Sequence, residues 1–448
     1  MALFIGIDLG TSGCRAMAID EAGSVQGQAV VSLPAPHREG SAVEQHPTLW
    51  WNAVKDCLAQ LTTSIDAVAV QAIAVDGTSG TLLLADENGD PLGPALMYND
   101  ARASEQAQHI KQVAPANTAA QGASCALAKL LWFYENGFFD SGLFKHAQQA
   151  TASACYALHQ ADWIVGQLSG QWGISDANNV MKLGFDAQQD CWPQWLLDLL
   201  NQQHIPSQLL PKVVAPGTSI GTLRPELAQQ FGLPTTTRIV AGTTDSTASF
   251  IATGANKVGE AVTALGSTLV TKVITPQAIF APEYGVYSQP LFIDGKQYWL
   301  AGGGSNSGGA VLRQFFSDEQ MQAMTPELHS EQPTGLDYYP LPSIGERFPI
   351  NDATFKPRME PRPDNDVQFF QALLEGIAHI ESQAYHLLNK LGTPYPVSIR
   401  TTGGGAKNPA WTQIRKNVMN TEMKTALNTE AAYGTALLAK HGYTKATQ

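Results

Sequence analysis

Acidic and hydroxyl side chains come at the end of the first strand-like segment, Leu3 to Leu9, which carries Asp8. The next residues, Gly-Thr-Ser-Gly at 10–13, offer consecutive backbone N–H groups and two hydroxyls, which can form a concave anion site. Asp8 would repel a bare phosphate, but the positive charge of Mg²⁺ between them would remove that repulsion. One carboxylate is enough for such an ion, because Mg²⁺ binds few carboxylates and keeps its waters. Arg15 could offset further negative charge. An ordinary hairpin turn explains the same residues.

A second acidic residue, Asp245, follows the strand-like segment 238–241 and Gly-Thr-Thr at 242–244. A helical run starts at Ser246, so Asp245 lies beside the free N–H groups of a helix N-terminus. It can cap that helix, or it can face a cleft as a general base. On these residues alone the cap is the stronger interpretation.

Three consecutive glycines at 403–405 follow a strand-like segment and precede Ala410 and Trp411. Such a backbone is flat enough for a planar ligand, with Trp411 or the methylenes of Lys407 beside an adenine. A glycine-rich turn is the alternative, although each glycine costs stability unless packing or close approach requires it. The glycine-rich run 302–309 raises the same question.

Strand-like segments alternate with helical patterns along the chain, which predicts the α/β class. A strand running into a Gly-Thr or Gly-Ser turn recurs four times, at 7–13, 75–80, 241–246 and 265–268. Two of these turns fall in each half, which indicates a duplicated architecture with a cleft between the halves. We place the domain boundary between Pro234 and Arg238, giving domains of residues 1–237 and 238–448.

Composition excludes several classes of protein. The 448 residues suffice for two or three domains. A net charge of −12 argues against a general affinity for nucleic acid or anionic membranes. The N-terminal apolar run is too short for a signal peptide, and no stretch reaches the ~18 apolar residues of a membrane span. Five scattered cysteines fit reduced thiols, so we expect a cytoplasmic monomer or homodimer without a zinc site.

Familiar nucleotide and nucleophile motifs are missing from the sequence. There is no GxxxxGK[ST] loop and no GxGxxG turn after a strand, which argues against P-loop and Rossmann sites. The GxSxG elbow and the HRD and DFG motifs of protein kinases are also absent. A nucleotide site in this chain would therefore use another scaffold.

Taken together, the turns resemble those of the actin-like ATPase superfamily, and within it the FGGY family of carbohydrate kinases, nearly end to end. Ala126 stands where the family signature usually has Pro, Ser or Thr. The order and spacing of the motifs outweigh the simple turn and cap interpretations. The matching segments are residues 7–12, 98–102, 129–136, 242–245, 266–268, 345–349 and 403–408.

The resemblance implies two actin-like (ribonuclease H-like) α/β domains with a central cleft, the sugar on the N-terminal domain and ATP with Mg²⁺ mainly on the C-terminal one. It implies that Asp245 is the general base and that Asp8 holds Mg²⁺ through water. The implied sugar contacts are Asp8, Ser12, Gly13, Arg15, Ser79 and Asp245. The implied ATP contacts are Thr11, Gly266, Ser267, Thr268, Gly404, Gly405 and Asn408.

The run Asp-Gly-Thr-Ser-Gly-Thr at 76–81 bears on the sugar. Glycerol kinases of the family usually show Asn-Gln-Arg-Glu there, so glycerol is disfavoured. With Tyr-Pro-Leu-Pro at 339–342, the run resembles the plant and cyanobacterial xylulose-kinase-like branch that phosphorylates D-ribulose. We therefore expect a pentulose kinase that makes D-ribulose 5-phosphate. The alternatives are D-xylulose, which differs only at C3, and an actin-like ATPase with weak or no sugar kinase activity.

Overall fold

The computed structural model describes residues 1–136, 155–293 and 295–447, which form two compact units. The first unit comprises Met1–Ala252 together with Glu430–Gln448, and the second comprises Thr253–Thr429. The chain therefore divides after residue 252 and not after the predicted residue 237. The C-terminal helix belongs to the first unit, although the predicted boundary assigned it to the second domain.

The elements before residue 253 build most of the first unit. Its strands are β1 (Leu3–Leu9), β2 (Gly13–Asp20), β3 (Val25–Ser32), β4 (His37–Glu39), β5 (Ala42–Gln45), β6 (Val70–Gly77), β7 (Leu82–Ala85), β8 (Ala95–Leu96), β9 (Tyr156–His159), β10 (Ile174–Asp176), β11 (Lys212–Val214), β12 (Ser219–Thr222) and β13 (Arg238–Thr244). Its helices are α1 (Pro47–Thr62), α2 (Ser104–Val113), α3 (Ala126–Glu135), α4 (Gln160–Ser169), α5 (Gln194–Gln202), α6 (Pro225–Phe231) and α7 (Asp245–Ala252).

The second unit follows, and the chain then returns to the first. The strands are β14 (Glu260–Leu265), β15 (Leu269–Thr275), β16 (Phe280–Ala281), β17 (Val286–Tyr287), β18 (Gln289–Ile293), β19 (Lys296–Ser305), β20 (Ser398–Thr402) and β21 (Glu422–Lys424). The helices are α8 (Gly309–Leu312), α9 (Asp318–Met324), α10 (Asp366–Lys390) and α11 (Pro409–Met419), and the returning helix is α12 (Ala431–Thr447).

The two large sheets share one plan. In the first unit the strand order is β12-β13-β6-β1-β2-β3, with β1, β6 and β13 parallel and the other neighbours antiparallel. In the second the order is β18-β19-β15-β14-β20-β21, with β14, β20 and β21 parallel. Each sheet thus joins an antiparallel meander to parallel strands. Of the four recurring turns, those at 7–13, 75–80 and 241–246 lie in the first unit and that at 265–268 in the second, so the predicted two in each half is wrong.

Strand β1 is buried on both faces because its apolar side chains alternate across the sheet. Ile5 and Ile7 join the core that contains Trp50 of α1 and Trp163 of α4. Phe4 joins the opposite core, which is built largely from α12. None of the described helices is long and apolar enough to cross a bilayer.

Helix α12 reaches the first unit's core because small residues let it pack closely. A Cβ atom added at Gly434 would lie 2.0 Å from the carbonyl oxygen of Ala248 on α7, closer than any side chain can tolerate. Strand β13 pairs with β6 throughout the middle of the sheet. Both contacts join residues that are far apart in sequence, which explains why the boundary between the two units differs from the predicted one.

Gly434→Ala tests this packing, because helix propensity predicts an increase and close packing a decrease in the free energy of unfolding. Ala should stabilise an open helical position by about 1 kcal/mol relative to Gly. We expect instead a loss of about 1–3 kcal/mol in the free energy of unfolding, measured by urea denaturation. The control is Gly221→Ala, where the added Cβ would lie no closer than 3.5 Å to its neighbours. Equal stability of the two variants would contradict the close approach.

Candidate active site

The first unit brings acidic residues together at one edge of its sheet. Asp8 on β1 stands opposite Asp76 on β6, and Asp76 stands opposite Thr243 on β13. Asp245 follows at the start of α7. The three strands are parallel, so their carboxyl ends meet at this edge, where ligands bind in open α/β sheets. Adjacent strands lie about 4.8 Å apart, which puts roughly 10 Å between the backbones that carry Asp8 and Asp245.

Asp76 is the buried centre of this acidic group, with no solvent exposure. The hydroxyl of Thr435 on α12 donates a hydrogen bond to its Oδ2. Burial, reinforced by the negative charge of Asp8, holds the pKa of Asp76 well above its usual value. Asp76 therefore keeps its proton to a higher pH than an ordinary carboxyl does, and in that protonated form it can donate a hydrogen bond that an ionised carboxylate could not.

The acceptor of that hydrogen bond is Asp8. The carboxyl groups of Asp8 and Asp76 are hydrogen-bonded to each other. Among the described residues no donor reaches the buried Oδ1 of Asp76, so a hydrogen bond between the two carboxyl groups needs the proton of Asp76 itself. Burial raises the pKa of Asp8, while the hydrogen bond from Asp76 and the positive charge of Arg15 oppose that rise. Asp8 is half-buried and is the more exposed member of the pair.

The turn between β1 and β2 holds the other residues predicted at the first motif. Gly10 N donates to Gly13 O at 3.0 Å, so the segment is a tight hairpin turn, with Thr11 half-buried and Ser12 exposed. Arg15 stands opposite Asp8 in the sheet register and forms an ion pair with Glu430, just before α12. The guanidinium of Arg15 is therefore already engaged within the first unit.

Ser79 lies just beyond β6 on the same edge of the sheet. Gly77, two residues earlier, stands opposite both Leu9 and Thr244. The loop is fixed at Thr78, whose backbone N and hydroxyl donate to Oε1 of Gln160 at 3.0 and 2.8 Å. The first unit thus gathers the predicted sugar contacts around one edge: Asp8, Ser12, Gly13, Arg15, Ser79 and Asp245, together with the predicted phosphate contact Thr11.

The other predicted ATP contacts belong to the second unit, on two adjoining turns. The turn between β14 and β15 contains Gly266, Ser267 and Thr268, of which the first two are exposed. Ala264 stands opposite Thr402 in parallel register, so the turn that follows β20 lies beside it. That second turn contains Gly404, Gly405 and Asn408.

The structure gives different reasons for the three consecutive glycines. Gly403 has φ +80°, which favours glycine, and Gly405 packs against the ring of Trp411. Gly404 is exposed, and nothing lies within 4 Å of an added Cβ. Trp411 is only 3% exposed and its Nε1 donates to Leu374 O at 3.1 Å. Trp411 is therefore a core residue, not a ring beside an open ligand face.

Asn408 has a structural task at the start of α11. Its Oδ1 accepts from Trp411 N at 2.9 Å, and its Nδ2 donates to the Thr325 hydroxyl at 3.1 Å. These bonds make it the N-cap of the helix. A contact between Asn408 and ATP stays a prediction.

The sequence analysis assigned no role to Asp76 or Glu346, although they lie in the motifs at 76–81 and 345–349. Glu346 is 3% exposed and accepts hydrogen bonds from the Ser305 hydroxyl at 2.5 Å and from Asn306 N at 2.8 Å. It thereby fixes the end of β19, beside the turn that carries Ser267. An acidic residue in an otherwise apolar or glycine-rich run is the signal that could have identified both.

The donor set at the acidic edge suits a magnesium ion. Mg²⁺ usually keeps several waters and takes one or two carboxylates together with substrate phosphates. Asp8 offers one half-buried carboxyl, whereas Asp76 has no solvent exposure and a raised pKa. In residues 1–136, 155–293 and 295–447, no three His, Cys, Asp or Glu side chains converge as metal ligands. The residues therefore fit an ion shared with a substrate and not an all-protein cage.

Comparison with known proteins gives consistent results. Models of the FGGY family of carbohydrate kinases match residues 3–252 (N-terminal domain) and 261–443 (C-terminal domain). A xylulose kinase of Staphylococcus xylosus is 24% identical over 460 residues, covering 99% of this chain and 91% of that protein.

Solved structures show the same fold. The xyloylose kinase of Brucella ovis has a TM-score of 0.86 at 24% identity, covering 99% of this chain and 91% of that one. Plasmodium falciparum glycerol kinase with ADP has a TM-score of 0.84 at 17% identity, covering 99% and 90%. These similarities confirm the predicted fold class of two mixed α/β domains.

Asp76→Asn tests the neutral state of Asp76. A carboxyl whose pKa is raised by folding holds a proton that the unfolded chain releases above its ordinary pKa of 3.8. The contribution of Asp76 to the free energy of unfolding is therefore greatest at low pH, and it declines as the pH rises towards the raised pKa. Asn cannot titrate, so we expect a flatter curve of unfolding free energy against pH in metal-free buffer. The exposed control Asp66→Asn should keep the wild-type slope, and an unchanged slope in Asp76→Asn would contradict the assignment.

Proposed function

Because the chain belongs to the FGGY family of carbohydrate kinases, which are ATP-dependent phosphotransferases, we propose that it transfers the γ-phosphoryl group of ATP to a hydroxyl of a ketopentose, D-ribulose. The product would be D-ribulose 5-phosphate. The observation that carries this proposal is the placement of Asp8 and Asp245 on either side of β6, inside the segment that matches the family's N-terminal domain.

Asp245 is the proposed general base. Phosphoryl transfer needs an acceptor hydroxyl held in line and charge neutralisation more than covalent chemistry from the protein. Asp245 is half-buried, and its Oδ1 accepts a hydrogen bond from Ser246 N at 2.7 Å, which orients the carboxylate. It would accept the proton of the sugar hydroxyl as the bond to phosphorus forms. A positioned base contributes about 10²–10⁴ in rate.

Asp8 is the proposed holder of Mg²⁺, through water. Bound Mg²⁺ would neutralise phosphate charge during transfer. In its protonated form, which the raised pKa of Asp76 favours, Asp76 donates to Asp8 without adding a second negative charge, and the site then suits one divalent ion. Arg15 balances part of the charge of Asp8 while it is anchored to Glu430.

The turns of the second unit are the proposed nucleotide site, together with Thr11. Gly266, Ser267 and Gly404 are exposed, and a backbone without bulky side chains lets phosphates approach its N–H groups. The buried Glu346 holds the strand end beside them.

Two ketopentoses are candidate acceptors. The run at 76–81 resembles that of D-ribulose kinases and supports D-ribulose. The names of relatives such as the Staphylococcus xylosus protein support D-xylulose as the second candidate. An ATPase with little sugar kinase activity is the third, and the acceptor experiment below separates all three.

ADP release from Mg²⁺–ATP should be measured with D-ribulose, D-xylulose, L-ribulose, ribitol, glycerol or no sugar. We expect the largest stimulation with D-ribulose. In Asp245→Asn we expect sugar-dependent turnover to fall about 10²–10⁴-fold while ATP binding stays intact. The control is the exposed Asp66→Asn. Equal ADP release in every reaction would overturn the kinase proposal, and an Asp245→Asn variant within a few-fold of wild type would remove Asp245 as base.

Asp8→Asn tests the metal assignment. Losing one charged ligand should raise the Mg²⁺ concentration that gives half-maximal turnover about tenfold or more. The measurement is turnover against free Mg²⁺ at saturating ATP and sugar, with Asp66→Asn as control. An unchanged Mg²⁺ dependence would place the ion elsewhere.

A further inference from the structure

Two lysine side chains hold the loop of residues 77–81, here called the acceptor loop because it carries Ser79. Nζ of Lys129 on α3 donates to Gly80 O at 2.6 Å and to Met97 O at 2.7 Å. Nζ of Lys182 donates to Ser79 O at 3.1 Å. Consecutive carbonyl groups of one short loop are thus each bound by an ammonium group.

Burying Lys129 carries a large desolvation penalty. Its side chain has no solvent exposure, and burial lowers its pKa to about 7. Within the described part of the chain, no carboxylate lies at ion-pair distance from its ammonium. The nearby Asp100 is instead bound by Arg102 at 2.7 Å and by Val43 N at 2.6 Å. Buried charges are usually paired, so an unpaired lysine in a core needs a reason other than stability.

Lys182 reaches the loop across Gly80. This glycine has φ +90°, which favours glycine, and an added Cβ would lie 3.0 Å from Cδ of Lys182. Lys182 is half-buried, and like Lys129 it has no carboxylate at ion-pair distance among the residues described. The two lysines therefore act on the loop through its backbone alone.

We propose that Lys129 and Lys182 are positioning residues of the sugar site, which hold the acceptor loop so that Ser79 meets the ketopentose in a fixed orientation. The inference rests on the proposed function. A peptide group is planar and trans, so fixing the carbonyl of Ser79 also fixes the N–H of Gly80 on the opposite side. Thr78 is already fixed by Gln160, so three successive residues are held from outside.

The consequence is a loop that is ordered before the sugar arrives. Fixing the backbone of one residue costs roughly 1–2 kcal/mol of conformational entropy, and a loop held in advance spares sugar binding that cost. Loss of the restraint should therefore weaken sugar binding and leave the nucleotide's binding unaffected, because the carbonyl groups that these lysines bind are not part of the proposed nucleotide turns.

The experiment compares Lys182→Met, Lys182→Arg and Lys129→Met with wild type, and with the exposed Lys111→Met as a matched control. Steady-state KM for each substrate, kcat and the thermal midpoint are measured with the best acceptor. We expect Lys182→Met to raise KM for the sugar about tenfold with KM for ATP within twofold. Lys182→Arg should restore most of the sugar affinity. Lys129→Met should show the same KM pattern.

The possible outcomes separate a positioning role from a structural one. A structural role would lower the thermal midpoint and the active fraction while KM for the sugar stayed at the wild-type value. A KM for the sugar within twofold of wild type in Lys182→Met, with a responsive wild-type enzyme, would overturn this inference alone, even if Lys129→Met failed to fold. A wild-type protein that no acceptor stimulates would overturn both the proposed function and this inference.

Discussion

The hydrogen bond from Thr435 to the buried carboxyl of Asp76 is the interaction on which the first unit's site depends. It joins the last helix of the chain to the central strand of the acidic edge, between β1 and β13. Because Asp76 is buried beside negative charges, its pKa is raised, and in its protonated form it can donate to Asp8. One proton in this position lets two carboxyl groups stand side by side while only one of them presents charge.

The two units use the same sheet plan for different chemistry. In the first, Asp8 lies near the end of β1 and Asp245 directly after β13. In the second, the turns after β14 and β20, the strands that correspond to β1 and β6, carry glycines and hydroxyls, such as Gly266 and Ser267. A carboxylate suits proton removal and metal holding, whereas an exposed glycine turn suits phosphate oxygens. The division of polar residue types between related turns is what the proposed division of sugar and nucleotide sites requires.

Local patterns in the sequence were sufficient for the strands and the turns, because each is specified by neighbouring residues. Strand β1 and the Gly-Thr-Ser-Gly turn after it are examples, and the α/β class follows from them. The boundary after Ala252 was missed because it depends on β13 pairing with a distant strand and on a small-residue contact at Gly434. The same reason hides the Arg15–Glu430 ion pair and the burial of Trp411, because the partner or the covering surface is distant in sequence. The cap made by Asn408 is local, since its Oδ1 accepts from Trp411 N three residues further on.

Polar groups that are costly to bury cluster behind the proposed ligand-binding turns. Lys129 lies behind the acceptor loop, Asp76 behind Asp8, and Glu346 behind the turn that carries Ser267. The equally buried Glu381 and Arg415 differ from these three, because they neutralise each other as an ion pair within the core. An apolar residue in these three places would avoid the desolvation penalty but could not bind a carbonyl, share a proton or accept from two donors. At these three places the desolvation penalty is therefore paid where a loop or turn must keep one conformation. A site of in-line phosphoryl transfer requires such fixed loops, because the attacking oxygen must be aligned with the phosphorus.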